Sequence, residues 1–109
     1  IKKLQANSVV NSEEAVYLNL WQRQIETKGD NLISESKNLF DGKVQIMATI
    51  DVNGNLIDSK ILISSGDQLI DDMAINILRE SAPFAPFNTT MSNEYSVLEI
   101  IRDWNFSNN

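Results

Sequence analysis

Asp67, Asp71 and Asp72 form the densest run of carboxylates in the chain. Paired carboxylates are what general acid–base catalysis or a Mg²⁺ site asks for. The rest of such a site is missing. The chain has no His and no Cys, which removes the commonest general base, both Ser-His and Cys-His nucleophile pairs, and every thiolate ligand. Without those groups, the three aspartates read as solvated acids that complement a helix N-terminus. Ser64-Ser65-Gly66 has the composition of an anion nest, but a strand-to-helix turn accounts for it without a ligand. Gly42 and Gly54 belong to no phosphate-binding fingerprint. Asn88-Thr89-Thr90 and Asn105-Phe106-Ser107 match the glycosylation sequon, a pattern too frequent to carry an argument. Trp21 and Trp104 have the chemistry of ligand platforms, yet each lies on an apolar stripe and reads as core. The expectation is a protein that is not an enzyme, with no cofactor and no metal.

Composition narrows the partners. At 109 residues, 42% of them apolar, the chain is sized for one domain with a core. Its net charge of −6 and pI near 4.4 provide no basic stripe for nucleic acid and no basic patch for anionic lipid. No run approaches the ~20 apolar residues of a membrane span. The first residue is Ile rather than Met, so the chain reads as a fragment whose upstream anchor or targeting segment is missing.

The element that organises the chain is the stretch Gly42 to Ser64, two β-rich runs around Asn53-Gly54. Asn-Gly favours the two-residue type I′ turn. That turn sets Val52 opposite Asn55, Ile50 opposite Ile57, Ala48 opposite Ser59, Ile46 opposite Ile61 and Val44 opposite Ile63. Val44, Ile46, Ala48, Ile50, Ile57, Ile61 and Ile63 then share one oily face, and a one-residue slip would turn them outward.

Residues 1–10 show no period and read as a linker or lead-in, with the domain at 11–109. Asn11 and Glu14 have capping-box spacing. Tyr17, Leu18, Trp21 and Ile25 follow on one stripe, predicting a helix over 12–28 that ends at Lys28-Gly29. Residues 30–41 are ambiguous. Apolar spacing from Leu69 to Leu78 predicts an amphipathic helix over 68–81, stopped by Pro83. Pro83 to Phe87 reads as an extended connector and Asn88 to Glu94 as a loop. Tyr95 to Phe106 reads as a third strand with Leu98, Ile100, Trp104 and Phe106 on one face and Arg102 interrupting it. The fold class is α+β, ordered α-β-β-α-β, with a three-stranded antiparallel sheet packed on two helices.

Three strands do not close a barrel, so the sheet has edges with unpaired backbone groups. The third strand follows a polar loop and carries few charges, which suits it to accept an added strand from a peptide. An edge kept soluble by Glu99, Arg102 and Asp103 is the alternative. An open edge also permits a strand-exchanged homodimer.

The motifs AVYLNLW (15–21), Ile25-Glu26 and Gly29, V-x-I-x-A-T-I-D-x-N-G-x-L (44–56), S-S-G-x-x-x-x-D-D-x-A (64–74), APFAPF (82–87) and VLEIIRDWNF (97–106) together resemble the C-terminal domain of the TonB energy transducers, over about 13–106. The resemblance implies the same α-β-β-α-β fold and a periplasmic domain of a protein anchored in the cell inner membrane, working with the ExbB–ExbD proton channel. It implies binding of the TonB box of TonB-dependent outer-membrane receptors, and import of siderophores or vitamin B12-like cargo. By that route the receptor peptide adds along Tyr95, Ser96, Val97, Leu98, Glu99, Ile100, Ile101 and Arg102. A secondary contact falls at Leu32, Ile33 and Ser34, where many relatives carry a Tyr-Pro pair that is absent here. A TolA-type periplasmic domain, serving envelope integrity in the Tol–Pal system, is the alternative. TolA domains often hold a cysteine pair, which this chain lacks.

Overall fold

The computed structural model describes residues 1–5 and 8–107. Positions 6 and 7 of the lead-in and 108 and 109 at the end of the domain lie outside the described residues. Along the chain the elements are β1 (Lys2–Leu4), α1 (Ser12–Glu35), β2 (Asp41–Asp51), β3 (Leu56–Ile63), α2 (Gln68–Ser81), α3 (Thr89–Glu94) and β4 (Val97–Ser107). The strands form one sheet in the order β1-β4-β2-β3. The sheet is therefore four-stranded and mixed, not three-stranded and antiparallel, because β1 joins β4 in parallel. Three residues with a single buried side chain carry no periodicity from which a strand could be read.

At the tip of the hairpin, the Gly54 N–H donates to the Asp51 carbonyl at 2.9 Å. Gly54 alone takes a positive φ, 90°, while a type I′ turn needs positive φ at both central residues. Asn53 does not adopt it, so the loop is one residue longer than expected. The Asp51 carboxylate fixes that loop, accepting from the Asn53 and Asn55 N–H groups at 3.0 and 2.9 Å. Two register shifts follow in β3. Ala48 still pairs Ser59 and Ile46 still pairs Ile61, but Ile50 faces Leu56 and Gln45 faces Ile63. Ile57 and Ile63, expected on the oily face, are exposed. Such bulges twist a free edge away from casual pairing.

Helix α1 starts on a complete capping box: Asn11 Oδ1 accepts from the Glu14 N–H at 2.8 Å and Glu14 Oε1 from the Asn11 N–H at 3.1 Å. It runs through Gly29 and ends only at Glu35, seven residues past the expected stop. Gly29 is not a C-cap. It is buried in mid-helix, where a Cβ would stand in ordinary contact, 3.4 Å, with Ile77 Cδ1 of α2. Helix α2 spans the predicted residues. Residues 89–94, expected as loop, form α3, with Asn88 as N-cap accepting from the Met91 N–H at 3.0 Å and Met91 buried beneath.

The helices cover one face of the sheet. Tyr17, Trp21 and Ile25 of α1 and Ile70, Ala74, Ile77 and Leu78 of α2 pack onto Val44, Ile46, Ala48 and Ile50 of β2 and Leu98, Ile100 and Phe106 of β4. The connector 82–88 is stitched to the hairpin tip: the Phe84 N–H donates to the Gly54 carbonyl at 2.8 Å, and that of Phe87 to Val52 at 3.0 Å. Tyr17 adds a third stitch, donating its hydroxyl to the Ala85 carbonyl at 2.8 Å. Burial, with the Asp51 charge nearby, pushes the Tyr17 phenol up to about 12.

Candidate functional site

Strand β4 has two long sides, and the structure treats them differently. Its inner side pairs β2 along its whole length, from Asp51↔Val97 to Asp41↔Ser107. Its outer side meets β1 over three residues only, Lys2↔Leu98, Lys3↔Glu99 and Leu4↔Ile100. Among the described residues no strand pairs that side from Ile101 to Ser107. The expected edge is thus partly occupied by the chain itself.

Five side chains hold this arrangement. Leu4 is fully buried in the core. Arg102 Nη1 donates to the Leu4 carbonyl at 3.1 Å and to the Ile101 carbonyl at 2.8 Å. Its desolvation lowers the guanidinium below its ordinary value, and a half-buried cation needs such acceptors. The residue that interrupts an apolar stripe in sequence therefore closes over the end of β1. Lys2 Nζ stands 3.8 Å from Glu14 Oε2, and the Tyr95 hydroxyl donates to the same oxygen at 2.6 Å.

Apart from Arg102, the predicted edge residues divide into three groups. Tyr95 is not in the strand: it caps α3, and Ser96 precedes β4. Leu98 and Ile100 are buried in the core, so only their backbone is offered to a partner. Val97, Glu99 and Ile101 alternate with them on the face away from the helices and are half-buried. Leu32, Ile33 and Ser34 lie in the last turns of α1. Leu32 and Ile33 pack partly on the core, and the Ser34 hydroxyl donates to the Asn31 carbonyl at 3.0 Å.

Beside the unpaired part of β4 lies a shallow groove between that strand and α1. Apolar Ile25, Ile33 and Trp104 and acidic Glu26, Asp30 and Asp103 are among the residues that line it. Trp104 Nε1 is buried with no hydrogen-bond partner among the described residues. Nothing in the sequence pattern locates this groove, because it depends on α1 continuing past Gly29.

The aspartate cluster is a turn staple. Asp71 accepts from the Ser64 hydroxyl, from the Ser65 N–H at 3.0 Å and from the Ser65 hydroxyl at 2.7 Å, which holds its carboxyl below the usual range. Asp67 is the N-cap of α2, accepting from the Leu69 N–H at 2.9 Å. Asp72 accepts from Gln68 at 2.8 Å. Among the described residues no three carboxylates converge as metal ligands.

Residues 35–107 match the family described as Gram-negative bacterial TonB protein C-terminal. The chain belongs to this family. The NMR solution structure of the Helicobacter pylori TonB C-terminal domain superposes on it with a TM-score of 0.57 at 17% identity, covering 94% of this chain and 98% of that one. That likeness shows a shared fold. No curated protein matches the chain. It is thus a TonB-type domain, periplasmic in its family context and of a kind that interacts and transduces rather than catalyses. Among the described residues no helix is long and apolar enough to cross a membrane.

Proposed function

We propose that this TonB-type domain binds the TonB box of outer-membrane receptors by strand addition to the outer side of β4. Through an upstream inner-membrane anchor and ExbB–ExbD, it couples the proton gradient to uptake of siderophores or vitamin B12-like cargo. One observation carries the binding step: the outer side of β4 already accepts a strand, β1, in regular parallel register. The strand at the opposite end of the sheet, β3, is broken by two register shifts, which makes it the poorer template. Backbone bonds along Val97 to Arg102 supply affinity, and the alternate side chains supply choice. Ile33, which lines the neighbouring groove, with Leu32 and Ser34, forms the secondary contact. A second copy of the chain would compete for the same side of β4, so self-pairing and receptor binding are mutually exclusive there.

The test is titration of the ¹⁵N-labelled domain with receptor N-terminal peptides carrying a TonB box, followed by NMR. Shifts centred on residues 97–102 are expected. Shifts confined to β3, or none at millimolar peptide, would overturn the reading.

A further inference from the structure

We propose that β1 is a built-in stand-in for the partner strand, so that a partner displaces it and must reproduce its contacts. The inference rests on the receptor reading of β4 given above. One side of a strand accepts one neighbour, and β1 sits on the residues that reading requires, Leu98 to Ile100. A partner spanning Val97 to Arg102 cannot pair while β1 remains.

The contacts of β1 describe what replaces it. The incoming segment runs parallel to β4. Opposite Ile100 it carries an apolar side chain that fills the space of the fully buried Leu4. The carbonyl of that same residue accepts from Arg102, as Leu4 does at 3.1 Å; otherwise a half-buried guanidinium loses an acceptor. Two residues earlier, opposite Leu98, a cation meets Glu14 as Lys2 does. The partner is an extended basic-any-apolar segment.

Release of β1 is within reach of a peptide. The strand is three residues long, Lys3 is exposed, and Leu4 is its one buried side chain. Short elements with few buried contacts open far more readily than the whole fold.

The chain has no cysteine, so a lock is simple to build. Lys3 and Glu99 are directly paired, and neighbouring strands stand about 4.8 Å apart, inside the range a disulfide spans. The full chain carrying Lys3→Cys and Glu99→Cys is titrated, reduced and oxidised, with TonB-box peptides. The reduced chain is expected to bind at least roughly 10-fold more tightly than the oxidised one. In the reduced chain, changing the peptide's apolar residue opposite Ile100 to Asp should weaken binding by a similar factor. Equal affinity of both redox states, with shifts on 97–102, overturns the displacement and leaves the receptor reading standing. No binding in either state overturns the receptor reading instead. Hydrogen exchange of the unmodified chain then decides on β1 by itself. Amides of residues 2–4 are expected to be roughly 100-fold less protected than those joining β2 to β4, and equal protection overturns the proposal.

Discussion

The Tyr95 hydroxyl donates to the Glu14 carboxylate at 2.6 Å, across 81 positions of sequence. The same carboxylate closes the capping box of α1 and faces Lys2 of β1. One side chain, only 1% exposed, thereby ties the lead-in strand, the first helix and the cap of α3 just before β4 together. Glu14→Ala leaves the Tyr95 hydroxyl and the Asn11 N–H without their acceptor, and is expected to cost roughly 2–3 kcal/mol. Tyr95→Phe should cost about 1 kcal/mol. Urea unfolding of both single variants and the double measures this, and strictly additive losses would argue against the coupling.

The same group makes stability depend on acid. Burial pushes the Glu14 carboxyl up, but the bonds from Tyr95 and Asn11 and the Lys2 charge outweigh it, and the net result lies below the ordinary 4.5. A carboxylate depressed in the folded state contributes stability above its unfolded value and loses it as pH falls through the folded one. Asp51, held down by bonds from Asn55, Asn53 and Gly54, and Asp71, held down by Ser64 and Ser65, act in the same sense below 3.8. The midpoint of urea unfolding should stay level between about pH 5 and 9 and fall below pH 5. Glu14→Gln should flatten the first part of that fall; parallel curves for variant and parent would remove Glu14 from the account.

Gly54 and Gly66 both have positive φ, 90° and 85°, yet they are not equivalent. A Cβ on Gly54 would come within 2.1 Å of the Phe84 carbonyl oxygen, whereas one on Gly66 meets nothing within 4 Å. Gly54→Ala is expected to cost roughly 3 kcal/mol or more, combining the left-handed penalty with lost stitching to the connector. Gly66→Ala should cost only the backbone term, about 1 kcal/mol. Thermal unfolding compares them, and equal losses would show that the Phe84 contact relaxes freely.

Gly29→Ala runs the other way. The position is mid-helix, where Ala is better than Gly by roughly 0.5–1 kcal/mol, and the new Cβ reaches only ordinary contact with Ile77. A small rise in the unfolding midpoint is expected. A loss above about 1 kcal/mol would mean that α1 and α2 have no room to yield there.

Leu4→Ala tests how independently β1 is held. Truncating a buried leucine costs roughly 2–5 kcal/mol where the surroundings cannot let go. If β1 opens by itself, the loss cannot exceed its own docking energy, so Leu4→Ala should cost less than Ile100→Ala on the facing strand. The reverse order, read from urea unfolding, would place β1 within the cooperative core.

What could be read from sequence follows from where burial is periodic. The spacing from Leu69 to Leu78 marks α2 because one whole face of it is covered, and β4 is found for the same reason. Ile46 opposite Ile61 and Ala48 opposite Ser59 survive because they lie mid-hairpin. Ile57 is misplaced because one register shift accompanies a longer loop gripped by Asp51, and Ile63 because a second, separate shift falls between Gln45 and Ile46 at the far end of the hairpin. Gly29 looks like a helix stop in a linear string, since its contact with Ile77 exists only once α2 is in place. The β4 edge is legible as a strand, but its occupant is not: β1 has no pattern, and the role of Arg102 appears only when Leu4 arrives beside it.

The parallel sense of β1 on β4 also sets how the pair bears load. Residues 2–4 run the same way as residues 98–100, so a pull on Ile1 directed back along the strand axis shears all three register pairs at once. A pull directed away from the sheet peels them one after another, beginning at Lys2, while Leu4 and its Arg102 clasp hold last. The same few bonds are stiff in one direction and yielding in the other, and the angle of the tug decides whether β1 stays or goes.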